Sequence, residues 1–292
     1  MNSHRRRILF FFLSCTCCFH FVFGQQIDLG IKNYKTSIES PYHLDLKKDL
    51  IVSGASVALI GTAYYLRTLR TPLDSAQLLY PDISKIPSFD LSAIHNYDQT
   101  YVTASDVLLY TAVALPFISF FDKRVSGHAP QIIAMYLETL AINEAIHSMT
   151  TVIANRRRPY TFNTDSSINS DGIKVPEVPF SVKEKKGNLN SYFSGHTSTA
   201  TAATFFGARI FTDFRPHSKL VPFVWTAAAL VPAFTGFARV KAGKHFPSDV
   251  VTGYAVGAAI GYLVPTLHKI KNKNLSFAPA LDGQGLYMSY NF

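Results

Sequence analysis

Apolar and polar positions fall in long blocks along this chain, not in the alternation of a half-buried strand. Six apolar blocks stand out, at about residues 50–66, 104–121, 131–154, 197–211, 221–238 and 250–267. Each has helical length, is rich in Ala, Leu and Ile, and carries Pro or charge near its ends, which predicts α-helices. No internal repeat of the solenoid kind relates them. The pattern predicts an all-α fold, a six-helix bundle over residues 50–270, with a polar arm at 25–49 before it. After the last block, apolar stretches flank Asp282-Gly283-Gln284-Gly285, which predicts a short C-terminal β-hairpin within 271–292.

Several blocks just reach the roughly 20 residues needed to cross a bilayer. The third carries Glu138, Asn143, Glu144 and His147. A carboxylate at bilayer centre costs roughly 3 kcal/mol, so these two cannot both face lipid. Either they point into the bundle or the helix lies outside lipid. In the sixth block Gly253, Gly257 and Gly261 recur every four residues, a smooth stripe suited to close helix packing. The bundle is expected to be membrane-embedded or membrane-associated.

The beginning of the chain reads differently. Arg5-Arg6-Arg7, an apolar run over 8–23, then Gly24 and Gln25-Gln26 describe an export signal over 1–24, with an uncleaved anchor as the alternative. A bacterial cell envelope is the expected setting. Orientation is in tension: a cleaved signal followed by six spans turns the motif-bearing connections toward the cytoplasm. Lys269, Lys271 and Lys273 after the last block favour the opposite, a site facing the periplasm. The two agree if the short, glycine-containing first block does not span, or if none does.

Composition sharpens this. Of 292 residues 48% are hydrophobic, 16% charged and 13% aromatic, and the net charge is +9. A mean hydropathy of +0.12 lies between a buried bundle and a polytopic membrane protein. The positive balance suits an anionic partner, a membrane surface or a phosphorylated substrate. Nucleic acid is not expected, because no zinc-finger, homeodomain-like or RNA-binding signature is present. Cys15, Cys17 and Cys18 are the three cysteines, so the body has no disulfide framework and no Cys-based metal site.

Three stretches carry candidate chemistry. Arg156-Arg157-Arg158-Pro159 closes the third block, with the helix expected to stop near Arg158, and guanidinium groups bind phosphate oxygens bidentately. A membrane-flanking basic cluster is the plain alternative. Ser194-Gly195-His196 opens the fourth block. Ser194 suits an N-cap, Gly195 admits close backbone approach, and His196 can protonate a leaving oxygen. Alone, it could be an ordinary helix start. Between the fifth and sixth blocks come Arg239, His245, Pro247 and Asp249. Asp249, four residues after His245, could hydrogen-bond one imidazole nitrogen and free the other to attack phosphorus. A capping Asp beside a surface His, or a metal pair lacking further ligands, stays open.

The order Arg-Pro, Ser-Gly-His, then Arg-x5-His-x3-Asp resembles the type 2 phosphatidic acid phosphatase superfamily, which includes bacterial class A acid phosphatases and vanadium haloperoxidases. The resemblance spans residues 100–267. It implies a phosphatase that needs neither metal nor cofactor and works through a phosphohistidine. Within it His245 would be the nucleophile, Asp249 its orienting group and His196 the acid. Arg158, Arg239 and the amides near Ser194 and Gly195 would hold phosphate. Two positions depart from the pattern. Thr151 stands where the family has Lys, with Arg157, Lys241 and Lys244 as candidate replacements, and Phe193 stands where it has Pro. The expected substrate is a phosphorylated lipid, with a broad-specificity envelope acid phosphatase or a non-catalytic lipid-binding relative as alternatives. The long connection over 160–193, with Lys174, Lys183, Lys185 and Lys186, is expected to form a lid or headgroup contact, with a plain solvated loop as the alternative.

Overall fold

The computed structural model describes residues 39–163 and 178–270, together with four short strands outside those ranges. The predicted export signal and most of the polar arm lie outside the described residues. Among those described, helices of 16 residues or more are α1 (Leu46–Thr68), α2 (Gln99–Ala114), α3 (Ala129–Ala154), α4 (Gly195–Phe214), α5 (Val221–Lys241) and α6 (Pro247–His268). A 3-10 turn over Leu115–Phe121 prolongs α2, where Pro116 removes a helical N–H.

Most of these helices begin ahead of their apolar blocks, because the first turn is polar and capped. Asp45, Asp98 and Ser194 accept from the amides of Lys48, Thr100 and Thr197, and Pro247 takes the first position of α6. The end of α3 differs from expectation. It stops at Ala154, four residues before Arg158, because Asn155 turns left-handed at φ 44° and donates its N–H to the Thr151 carbonyl. Arg156, Arg157 and Arg158 therefore follow the helix and are not its last turn.

Four segments are long and apolar enough to cross a membrane: α1, α2 with its 3-10 extension, α5 and α6. The first block is thus of spanning length. The two remaining helices are the interior ones. On α3, Met135, Glu138, Thr139 and Asn143 are buried, and on α4 so are Ala200, Thr201, Ala203 and Phe206. The carboxylate of Glu138 points inward, as its cost in lipid requires. Around them α1 exposes Ile51, Val57, Leu59, Tyr64 and Tyr65. The apolar core between α3 and α4 joins Ile132, Met135 and Tyr136 to Phe206, Ile210 and Phe214.

The glycine stripe faces α4. A Cβ on Gly253, Gly257 or Gly261 would lie 2.6, 2.2 and 2.3 Å from the carbonyl oxygens of Ser194, Ser198 and Ala202. Only glycine permits that backbone-to-backbone approach, which runs from the start of α4 to Ala202. Outside the bundle, Ser167–Ile168 pairs with Lys174–Val175, and Leu275–Pro279 with Leu286–Tyr290, both antiparallel. The turn at Asp282–Gly285 and residues 169–173 of the long connection lie outside the described residues.

The packing makes a graded prediction. Gly257→Ala should destabilise the protein by about 1–3 kcal/mol, since α6 must move off α4. Gly54→Ala on α1, with nothing within 4 Å of the new Cβ, should be neutral or stabilise by up to about 1 kcal/mol. Denaturant unfolding in detergent measures both; equal effects would contradict the packing argument.

Candidate active site

The turn between α5 and α6 sets the first side chain. Gly243 has φ 67°, and a Cβ there would fall 1.9 Å from the Asn96 carbonyl oxygen, so the chain reverses tightly before His245. His245 is 2% exposed. Its Nδ1 lies 2.7 Å from the carbonyl oxygen of Ser191. A carbonyl only accepts, so Nδ1 carries the proton, and Nε2 of the neutral ring presents a lone pair.

The expected hydrogen bond from Asp249 to this ring is not made. Asp249 Oδ2 is 3.8 Å from Nδ1, too long for one. Asp249 sits in the first turn of α6, where unpaired amides are its nearest donors. Its Oδ2 accepts from Phe246 N at 2.8 Å and Ser191 Oγ at 2.5 Å, and its carbonyl accepts from Ser194 N at 3.0 Å. Asp249 thus holds Ser191, whose carbonyl holds His245. The Asp acts one residue removed from the place the spacing suggested.

The arginine run divides its work. Arg156 turns inward and donates to Asp249 Oδ1 at 2.5 Å, Asp90 Oδ2 at 2.7 Å and Ser248 Oγ at 2.8 Å, with its guanidinium 4.1 Å from the centre of the Phe246 ring. Asp90 is buried and also accepts from Ser248 N at 2.9 Å. This Asp90–Arg156–Asp249 chain locks the start of α6. Arg157 turns away, donating to the Thr161 and Gln77 carbonyls over the Phe162 ring, and is no replacement phosphate ligand. Arg158, whose N–H meets the Asn188 carbonyl at 2.8 Å, lies close enough to act electrostatically on both histidines.

Ser194 caps α4 as expected, and His196 follows in its first turn. A Cβ on Gly195 would meet the His147 ring at 2.7 Å, so that glycine answers to a neighbouring side chain. His196 Nε2 lies 2.9 Å from Asp106 Oδ1, and Arg239 Nη1 lies 3.9 Å from the same oxygen and 3.2 Å from Ser105 Oγ. Asp106 was not singled out in the sequence. The available signal was a lone carboxylate inside an apolar spanning block, which must find a partner. Arg239 is buried, yet its Nε has no acceptor. An unpaired buried donor costs about 1–3 kcal/mol, and an oxyanion would relieve it.

Charge at the site is lopsided. Burial, then Arg158 and Arg239, push the His245 pKa well below the ordinary imidazole range. For His196, outside the four spanning segments, burial and then Arg239 bring it down to about 4 against the opposing pull of Asp106. Burial followed by Arg158 and Arg239 lowers Lys244 to about 8. Two imidazoles and three cations thus share one field, which a bound anion would balance. A cleft of about 860 Å³ opens on the far side of Arg156 and Phe246, lined also by Arg70, Tyr80, Arg157 and Phe162; neither site histidine reaches it.

Known proteins share this stretch of chain. A Lipid A 1-phosphatase of Porphyromonas gingivalis is 40% identical over 75 residues, 25% of this chain and 15% of the relative. A Lipid A 4'-phosphatase of the same organism is 31% identical over 164 residues, 56% of this chain and 61% of the relative. The chain thus spans less than two thirds of either. A crystal structure of a transmembrane PAP2 type phosphatidylglycerolphosphate phosphatase from Bacillus subtilis aligns with a TM-score of 0.40 and 18% identity, over 78% of this chain and 96% of that one. The PAP2 superfamily matches residues 132–273, just under half of the chain, and that stretch, which contains Arg158, Ser194, Gly195, His196, Arg239, His245 and Asp249, is similar to it.

Proposed function

We propose that the protein is a membrane phosphatase that hydrolyses phosphorylated lipids through a phosphohistidine on His245. The observation that carries the reading is the buried His245, held through Nδ1 by the Ser191 carbonyl with its other nitrogen bare beside Arg158 and Arg239. In the first step Nε2 forms a bond to phosphorus as the phosphorus–oxygen bond to the lipid breaks. His196 gives the departing oxygen a proton. In the second, water attacks phosphorus, His196 takes its proton, and the phosphorus–nitrogen bond breaks to release inorganic phosphate. Arg158, Arg239 and Lys244 neutralise the phosphoryl oxygens, which is most of what such a transfer requires. Lys244 takes the part of the cation absent at Thr151.

Phosphatidate, a polyprenyl pyrophosphate and a lipid A phosphate all fit this chemistry, and both curated relatives are named for lipid A. The six long helices form one bundle in this reading, with the C-terminal strands as an appendage. Lys47 and Lys48 at the start of α1 lie at the same end as Lys269 after α6, since His43 N donates to the His268 carbonyl. The positive-inside rule then puts that end in the cytoplasm and the histidines on the periplasmic side.

Two outcomes follow. His245→Asn should lower phosphate release from dispersed lipid phosphates by roughly four powers of ten or more, and should abolish acid-labile labelling of the protein by a radioactive substrate phosphate. Intact cells should hydrolyse the same substrates supplied outside. A loss of less than tenfold, or activity confined to soluble aryl phosphates, would overturn the reading.

The second concerns pH. His196 must be protonated to act as acid, and its pKa of about 4 in the free protein means kcat/KM rises as pH falls from 7 toward 5. Asp106 raises that pKa, so Asp106→Asn should lower it and move the acid limb to lower pH. Above about 8, Lys244 loses its charge and KM should climb. A pH profile unchanged in Asp106→Asn would contradict the role of His196.

A further inference from the structure

We propose that Asp49, Glu138 and His268 form a divalent-metal site, suited to zinc, which ties α1, α3 and α6 together at the end of the bundle remote from the two site histidines. The three side chains come from the first turn of α1, the third turn of α3 and the last residue of α6. Each offers one ligand atom, and these atoms all lie within 4.8 Å of one another. His268 Nε2 is 3.1 Å from Asp49 Oδ1 and 3.3 Å from Glu138 Oε2. Ligands bonded at about 2.0–2.2 Å around a tetrahedral zinc stand roughly 3.3–3.5 Å apart, close to these separations.

Two features outside the triad's own contacts point to a cation. The first is the ring orientation. His268 Nδ1 lies 2.9 Å from the Val264 carbonyl oxygen, so Nδ1 is the protonated nitrogen. Nε2 then faces two carboxylate oxygens, an arrangement that calls for a positive charge among them, either a metal ion or a proton on Nε2. Donation of the second ring nitrogen to a backbone carbonyl is also how proteins orient metal-binding histidines. The second is Asp49 Oδ2, which is buried and has no hydrogen-bond partner. A metal would engage it as a second coordinating oxygen or through a bound water.

The two lysines beside the triad are engaged elsewhere. Lys269, next along from His268, pairs with Asp213 at 2.7 Å, and Lys48 pairs with Asp45 at 2.9 Å. Asp49 and Glu138 bring two carboxylates to one point, and the Glu138 side chain is only 8% exposed. The frame is firm: His43 N donates to the His268 carbonyl at 2.8 Å, and Ile270 N to the Pro41 carbonyl at 2.9 Å. The 22 residues of α6, at 1.5 Å each, put this site about 30 Å from Asp249. The metal would brace the fold and take no part in phosphoryl transfer.

The test uses the full chain, tag-free in detergent and stripped of metal, titrated with Co²⁺ as an optical probe. One equivalent should bind with the intense visible absorption of a four- or five-coordinate ion, Zn²⁺ should displace it, and added Zn²⁺ should raise the thermal midpoint. Glu138→Gln and His268→Gln should each weaken Co²⁺ binding at least tenfold, while His217→Gln, an exposed control, should not. If one triad variant fails to fold, the other and the wild-type titration still decide. No saturable binding to the wild type, or binding unchanged in the triad variants, would overturn the site and leave an imidazolium paired with two carboxylates.

Discussion

Three glycines at four-residue spacing let α6 lie against α4 with backbone touching backbone, and the placement of the chemical groups descends from that contact. At its upper end Gly253 meets the Ser194 carbonyl, and Ser194 N donates to the Asp249 carbonyl. The two helix starts that bear the histidines are therefore locked to each other directly. His196 rides on one and His245 precedes the other by two residues. A side chain at any of the three glycines would separate the helix starts and the histidines with them. Packing of small residues, usually a matter of stability, here also fixes how the two histidine-bearing helix starts meet.

A second layer of control is electrostatic. Arg156, the first arginine of the run, is consumed by Asp90 and Asp249. That expense is structural: a guanidinium between two buried carboxylates holds the loop before α6 in one conformation. Beyond this clamp the balance tips positive, with Arg158, Arg239 and Lys244 facing two imidazoles and the single carboxylate of Asp106. The orphaned Nε of Arg239 is the local sign of that surplus. An anion bound there would offset the surplus and favour the protonated form of His196.

Much of this was legible in the sequence. Apolar blocks located the helices, Ser194 and Pro247 marked two starts, and the glycine spacing announced the close contact between helices. The bounds shifted where polar caps extend a helix beyond its apolar block, as at Asp45 and Asp98. The end of α3 moved because Asn155 adopts a left-handed turn that competes with the proline signal downstream. The partners of the motif residues were the illegible part. Asp90, Asp106 and the Ser191 carbonyl are each distant in sequence from the side chain they hold, at Arg156, His196 and His245. No local spacing encodes such pairs. Only the rule that a buried charge needs a partner could have flagged Asp106 in advance.

The central claim is that groups far apart along the chain surround a single oxyanion. Orthovanadate, a mimic of the five-coordinate phosphoryl group, tests it most directly in an experimental structure of the complex. The account predicts vanadium bonded to Nε2 of His245, with its oxygens reached by Arg158 and Arg239 and His196 opposite the new bond. Vanadate bound away from His245, or held there without either arginine, would contradict it.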